Sequence, residues 1–348
     1  SAGYDPLYLL NGTSTETKIY ETMRLISESL ISLSADVKDP FWKTSARNLL
    51  CGLLIYYYKA GYKSFIELVD VILSKTIKES VKEIMENAAV ISTERKYMIQ
   101  FADLAEETLG GIVTEMNNHL ALFANDMDVR YALRDNPNKV TPAMLNTGHS
   151  IYLAIREHKL TAYYDFLQLV LNQTFYEMEQ RPENAKPVLF IIDELPRILS
   201  AGKIERLLDG AKTLRSRRVT LYLIIQSVEA LMSAYSENQT MDLISNCPYI
   251  MILDAASPKT QKMIVEWGGK FLHQKNSWNS SVAKSSINTS FEEKNLIDST
   301  DIMQLKQKEK VMLVTPYGFY IIDKNPYYKD PMLRKLSREC TTCNDQLN

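Results

Sequence analysis

Two carboxylates and an amide stand where chemistry could be done. Asp193 and Glu194 close the apolar run Pro187-Val-Leu-Phe-Ile-Ile-Asp-Glu-Leu-Pro196, and Gln226 closes a second run, Leu221-Tyr-Leu-Ile-Ile-Gln-Ser227. Unbroken apolar runs of this length predict strands buried on both faces. In an open parallel α/β sheet the ligand crevice lies beyond the carboxyl ends of the strands, so all three side chains are expected to face it. Paired acids at one strand end and Gln at another are the parts of a nucleoside-triphosphate motor. Asp193 would bind Mg2+ through water, Glu194 would orient and deprotonate the attacking water, and Gln226 would sense the terminal phosphate of ATP. The bland alternatives are acids that merely suit a helix start and an amide that bonds neighbouring backbone.

The phosphate cradle of such a motor, Gly-x-x-x-x-Gly-Lys-Ser/Thr, does not occur in the 348 residues. Gly61-Tyr-Lys-Ser64 has the wrong spacing, and Gly202-Lys203 and Gly269-Lys270 lack the hydroxyl residue. The chain therefore reads as a fragment that begins after its phosphate loop, inactive alone, with a bared strand edge through which it self-associates. Ser1-Ala2 reads as the remnant of a cleaved tag.

The elements that must position these residues fall into two patterns. Ile19, Met23, Ile26, Leu30 and Leu33 recur at helical spacing, and Asp39-Pro40 is expected to cap and start a helix carrying Ala46, Leu49, Leu50, Leu53, Leu54 and Tyr57, ended by Gly61. Helical spacing continues over 64–74, 80–87, 94–107 and 111–123, which predicts an all-α block. From Ser150 strands and helices alternate: strands at 151–155, 188–192, 221–225 and 249–253, helices at 163–178, 204–214, 228–235 and 259–267, as in a parallel doubly wound sheet. Val311–Thr315 and Phe319–Asp323 read as a hairpin, and the Ser- and Asn-rich stretch 276–290 as a mobile surface loop.

Bulk properties narrow the class. With 45% hydrophobic and 24% charged residues the chain is that of a soluble globular protein, and a net charge of −2 leaves nucleic acid only a local patch to bind. Lys203, Arg206, Lys212 and Arg215 offer such a patch for DNA phosphates. Four sparse cysteines argue against a disulfide framework: Cys51 and Cys247 read as buried thiols, and a single pair, Cys340-Thr-Thr-Cys343, reads as solvated tail rather than zinc site. His119, His149, His158 and His273 are scattered and suggest no metal site. No apolar run reaches bilayer length and no signal peptide is visible.

With these residues in place, the chain resembles the cytosolic ATPase domain of type IV secretion coupling proteins, the TraG/TraD kind of bacterial conjugation. Tyr4-Asp-Pro-Leu7 is similar to the family's segment after the phosphate loop, Asp39-Pro-Phe-Trp42 to the start of its all-α domain, and Phe190-Ile-Ile-Asp-Glu-Leu-Pro196 to its Walker B strand. Leu214-Arg-Ser-Arg217, eight residues before Gln226-Ser227, resembles its Arg-Ser-Arg…Gln-Ser motif, and Asn246-Cys247 its Gly-Asn-Cys, with Ser245 for Gly. The resemblance implies a RecA-like P-loop NTPase sheet, truncated at its N-terminal part, with an inserted all-α domain. Residues 1–35 and 141–333 would form the nucleotide-binding domain, 36–140 the all-α domain that recognises cargo, and 334–348 a polar tail. It further implies a hexameric motor that uses ATP and Mg2+ at the cytoplasmic face of the bacterial inner membrane. Such a motor feeds DNA with a relaxase or relaxosome, or a secreted effector, to the components of a secretion channel. Arg215, by its spacing to Gln226, would be an arginine finger supplied to the neighbouring subunit's ATP. The alternative is a non-catalytic receptor for a relaxase or effector, in which the α/β part is only scaffold.

Overall fold

Several helices in this chain begin where a side chain takes up backbone N–H groups that a first turn leaves unpaired, as Thr15, Thr76, Ser92 and Ser257 do. A computed structural model describes residues 2–12, 15–33, 40–133, 138–199, 203–281 and 284–344, and divides them into two units, Ser1–Ile225 with Leu231–Leu243, and Gln226–Ala230 with Ile244–Asn348.

The first unit opens with a short strand β1 (Gly3–Tyr4) and helix α1 (Glu16–Leu30), whose first turn is capped by Thr15. Helices α2 (Phe41–Lys59), α3 (Phe65–Leu73), α4 (Ile77–Asn87), α5 (Thr93–Ala102), α6 (Glu106–Asn125) and α7 (Met127–Leu133) follow. Capping boxes Ser64/Glu67 and Thr76/Glu79 start α3 and α4. Pro40 stands one position earlier than expected: its carbonyl accepts the Thr44 N–H at 2.9 Å, while Asp39 lies outside the described residues. Gly61, at φ +116°, lets Tyr62 N–H reach back to the Tyr57 carbonyl at 3.1 Å and closes α2 in the left-handed turn that glycine favours.

The apolar faces of α1 to α7 close one core, around Met23, Leu49, Leu50, Leu53, Leu68, Ile112, Met116 and Phe123. Each such side chain taken wholly out of water contributes about 1.5–3 kcal/mol. Cys51 is buried in it, and that burial pushes its thiol up to about 11. The same core continues onto α8 (Tyr164–Gln180) through Phe166 and Leu169, after β2 (Lys139–Val140), which pairs in parallel with β1.

Residues 151–156 form no strand: Tyr152 is 91% exposed and the segment pairs with nothing among the described residues. A short apolar run without a neighbouring strand to bond has no reason to stay extended as sheet. The strand pair that does form is β3 (Val188–Ile192) with β4 (Val219–Leu223), parallel and in register from Val188↔Val219 to Ile192↔Leu223. Between them run α9 (Leu195–Ile198), α10 (Glu205–Thr213) and a 3-10 turn over Leu214–Arg217. One face of the pair, with Phe190, Ile192 and Val219, packs on Phe175, Leu207 and Leu214. The other is bare, with Leu189 58% and Ile191 63% exposed, so β3 is buried on one face rather than two. Helices α11 (Val228–Met232) and α12 (Glu237–Ser245) come next, and Leu231, Tyr235 and Leu243 complete the core beneath the strands.

In the second unit β5 (Ile250–Ile252) pairs antiparallel with β8 (Lys310–Thr315), which pairs with β9 (Gly318–Asp323) as the expected hairpin. The described sheets are the parallel pairs β1–β2 and β3–β4, this antiparallel triplet, and a separate hairpin; the expected strands do not join in one doubly wound parallel sheet among the described residues. Helices α13 (Pro258–Gly268) and α14 (Ser299–Gln304) cover one face of the triplet through Ile264 and Ile302. The stretch expected to be a loop is instead a long antiparallel hairpin of β6 (Lys270–Ser281) and β7 (Lys284–Asn295). The last helix, α15 (Pro331–Asn344), carries Cys340 and Cys343, whose side chains lie outside the described set. Among the described residues no helix is long and apolar enough to cross a membrane.

Two glycines separate packing from propensity. A Cβ on Gly52 of α2 would meet the Tyr97 Cβ at 2.7 Å and the Met98 Cε, whereas one on Gly110 of α6 meets nothing within 4 Å. Replacing Gly by Ala inside a helix gains about 1 kcal/mol, but overpacking a core costs about 1–3 kcal/mol. Gly110→Ala is therefore expected to raise the urea midpoint and Gly52→Ala to lower it. Equal shifts in both would show that the α2–α5 approach is not tight.

Candidate active site

The parallel register of β3 and β4 brings their carboxyl ends side by side. Ile224 N–H donates to the Ile192 carbonyl at 3.0 Å and Leu195 N–H to the Ile224 carbonyl at 3.1 Å, so the turn carrying Asp193 and Glu194 is stitched to the exit of β4. Glu194 is held in the left-handed region, at φ 49° and ψ 41°. For a residue with a Cβ this costs about 1–2 kcal/mol, and such strain collects where geometry serves function. The Asp193 Oδ1 offsets part of it by accepting the Glu194 N–H at 2.9 Å.

Both acids are exposed. The second Asp193 oxygen has no partner among the described residues. Glu194 is engaged: Arg197 Nε donates to its Oε2 at 2.9 Å, and Arg197 Nη1 is shared with Glu157. The bond to Glu157 is the larger cause of a raised Arg197 pKa. Glu157 and Arg197 also line, with His158, Leu160 and Thr161, a cavity of about 500 Å³. Sequence reading missed both partners. The spacing Glu194–Arg197 was a readable clue, since residues three apart on a helical turn meet; Glu157 gave none.

Among the described residues no cluster of three His, Cys, Asp or Glu could hold a metal ion. Mg2+ needs no such cage, because it keeps several waters and is bound through one or two carboxylates plus substrate phosphates. The open oxygen of Asp193 fits that mode.

Gln226 follows β4 by way of Ile224 and Ile225 and begins the second unit. Its amide is exposed, with no partner among the described residues. Arg215 lies in the 3-10 turn at the amino end of β4, where Val188 N–H meets the Arg218 carbonyl at 3.0 Å. It stands the length of the strand away from Asp193, roughly 15 Å at the usual rise per residue. The structure thus brings Asp193 and Glu194 together and leaves Arg215 at the opposite end of the strands. Arg215 is exposed with no side-chain partner among the described residues. Of the other basic residues in the run, Arg206 pairs with Glu179 at 2.7 Å and Lys212 with Asp242 at 2.5 Å.

The Tyr4-Asp-Pro-Leu7 segment is fixed by α8. Tyr4 OH donates to Gln173 Oε1 at 2.7 Å, and Gln173 Nε2 donates to the Pro6 carbonyl at 2.7 Å. Burial is the first cause that holds the Tyr4 hydroxyl well above its usual range.

The profile of the family described as type IV secretory system conjugative DNA transfer matches residues 4–348. Among curated protein sequences none matches. Among solved structures, the bacterial conjugative coupling protein TrwBdeltaN70, unbound monoclinic form, has a TM-score of 0.69 at 13% identity, covering 93% of this chain and 71% of that one. The plasmid coupling protein TrwB in complex with ADP and Mg2+ has a TM-score of 0.66 at 14% identity over the same shares, 93% and 71%. The same values hold for TrwB in complex with the non-hydrolysable ATP analogue ADPNP. At such identities the likeness is one of fold. The match over nearly the whole length places the chain plainly: it belongs to the type IV secretory system conjugative DNA transfer family.

Proposed function

We propose that this chain is part of a conjugative coupling ATPase and carries the acids of its catalytic site at the carboxyl end of β3, beside that of β4. Without a phosphate cradle it is inactive alone, and the full-length protein hydrolyses ATP to drive DNA with its attached protein into a type IV secretion channel. The observation that carries the reading is the strained turn at Asp193 and Glu194, in a chain of the conjugative DNA transfer family. Arg218 and Glu309 share the left-handed backbone, so what marks Glu194 is its place beside Asp193 at the end of β3. Complexes of TrwB with ADP and Mg2+, and with an ATP analogue, support nucleotide and Mg2+ as ligands.

In this reading the open oxygen of Asp193 holds Mg2+ through water. Bound Mg2+ would neutralise phosphate charge. Glu194 takes the proton of the attacking water, for which its carboxylate must leave Arg197. An exposed ion pair is worth at most about 1 kcal/mol, so the arrival of anionic phosphate beside Arg197 suffices to free it. Gln226 contacts the terminal phosphate through its exposed amide. Arg215 is too far along the strand to serve the same site and instead reaches the ATP of the next protomer in a hexameric ring. The helices between 36 and 140 receive the relaxase or relaxosome, or an effector, and the parent protein works at the cytoplasmic face of the inner membrane. DNA contacts then draw on the run Lys203, Arg206, Lys212 and Arg215, in which Arg206 and Lys212 would exchange Glu179 and Asp242 for phosphate.

Removing a general base costs about 10²–10⁴ in rate. Glu194→Gln in the full-length protein is expected to lose at least a hundredfold in kcat, on the order of that range, while ATP binding by equilibrium dialysis changes less than about threefold. Unchanged turnover in the variant would remove Glu194 from the chemistry. Retained relaxase binding without turnover in wild-type protein would favour the receptor reading.

An arginine finger is worth about 10³–10⁵ in kcat. Arg215→Ala and Glu194→Gln should each be inactive alone, yet mixing the two variants should restore turnover. Mixed rings contain sites with an intact Glu194 and an intact neighbouring Arg215. No recovery on mixing would place Arg215 outside the neighbour's site.

A further inference from the structure

The Gln226 amide is exposed and bonds nothing among the described residues. What fixes its backbone is a cluster of side chains just downstream. Val228 N–H donates to the Thr260 Oγ1 at 3.0 Å, a buried bond that takes up the first N–H of α11. Thr260 has one hydroxyl proton, and it goes to Glu229 Oε2 at 2.7 Å. Ser257 donates its hydroxyl to the other Glu229 oxygen, Oε1, while its Oγ accepts the Thr260 N–H at 3.4 Å as the cap of α13. Ser227 caps α11 in turn, its Oγ accepting the Ala230 N–H at 3.3 Å.

The result is a clamp with every hydrogen placed. One carboxylate gathers two hydroxyls from the first turn of α13, and one of those hydroxyls holds the backbone two residues after Gln226. Burial pushes the Glu229 carboxyl up, but the hydrogen bonds from Ser257 and Thr260 outweigh it and hold Glu229 below its usual range. The acid is thus ionised across the neutral range and keeps both hydroxyls turned towards it. A buried hydroxyl with two fixed partners leaves the turn little freedom, and placement errors of an ångström near reacting atoms are costly.

We propose that Glu229, through Thr260 and Ser257, positions Gln226 for its contact with the terminal phosphate of ATP, so that Thr260 and Glu229 are positioning residues of the hydrolytic reaction. This rests on the reading of Gln226 given under the proposed function. A further consequence is that the phosphate contact is tied to α13, the helix that leads directly through Gly269 into the β6–β7 hairpin.

The test is a double-mutant cycle on ATP turnover by the full-length protein: wild type, Thr260→Val, Gln226→Ala and both together. Thr260→Val should lower kcat roughly tenfold with KM for ATP within about twofold, a coupling well inside the range for directly linked groups. Thr260→Ser, which keeps the hydroxyl, should restore most of the loss. In the Gln226→Ala background Thr260→Val should lower kcat no further. A purely structural role for Thr260 would instead lower turnover by the same factor in both backgrounds, and that result overturns the proposal, as does normal kcat in Thr260→Val. Should Thr260→Val fail to fold, Glu229→Gln runs the same cycle, since it leaves the Val228–Thr260 bond available. If Gln226→Ala itself leaves kcat unchanged, the sensing role is wrong and the clamp falls with it; a slow Gln226→Ala beside a normal Thr260→Val refutes the clamp alone.

Discussion

Three buried amides on α8, Gln168, Asn172 and Gln173, tie distant stretches of the first unit to one helix. A buried amide left without partners costs several kcal/mol, so each must find them, and where it finds them decides what packs there. Gln173 finds Tyr4 and Pro6, and so ties the start of the chain to the helix. Gln168 Nε2 donates to the Lys203 carbonyl at 2.8 Å and its Oε1 accepts from Asn172 Nδ2 at 3.0 Å. Asn172 Oδ1 then accepts the Arg206 N–H at 3.3 Å, satisfying one of the unpaired donors at the start of α10. On the same helix Phe175 stacks on Phe190 of β3, with ring centroids 5.4 Å apart. One helix therefore sets the strand that delivers Asp193 and Glu194, and the helix that leads to Arg215.

That arrangement explains why the two halves of the proposed chemistry sit at opposite ends of one strand pair. The acids leave β3 at its carboxyl end, where the chain must turn sharply and Glu194 takes a left-handed conformation. Arg215 precedes β4 at its amino end, where Arg218, at φ 57°, makes the corresponding left-handed turn into the strand. A single subunit cannot fold back over roughly 15 Å of rigid strand to bring Arg215 to its own acids. In the proposed function a ring of subunits would let the amino end of one pair serve the carboxyl end of the next.

Much of this was legible in the residues, and the gaps have physical causes. The runs ending at Asp193 and Gln226 read as strands because apolar, β-branched stretches bounded by polar residues have few other uses. The helices from α1 to α7 announced themselves by spacing and caps. The run at 151–155 misled, since apolar composition does not guarantee a partner strand. The β6–β7 hairpin was hidden for the converse reason: its Ser and Asn residues show no apolar alternation, and only its twelve consecutive cross-strand pairs reveal it. One-sided burial of β3 could not be read either, because Leu189 and Ile191 look the same whether covered or bare. At the site, Arg197 was recoverable from its spacing to Glu194, whereas the Glu229–Thr260 bond joins residues thirty-one apart and exists only after folding.

The central claim is that the acids at the end of β3 serve ATP hydrolysis. The most direct measurement is Mg2+-dependent phosphate release by the full-length protein, with and without DNA. Turnover that requires Mg2+ and rises on adding DNA is the predicted result. Absence of turnover under both conditions, in a protein that still binds its relaxase, would contradict the account and leave the strained turn at Glu194 without a catalytic purpose.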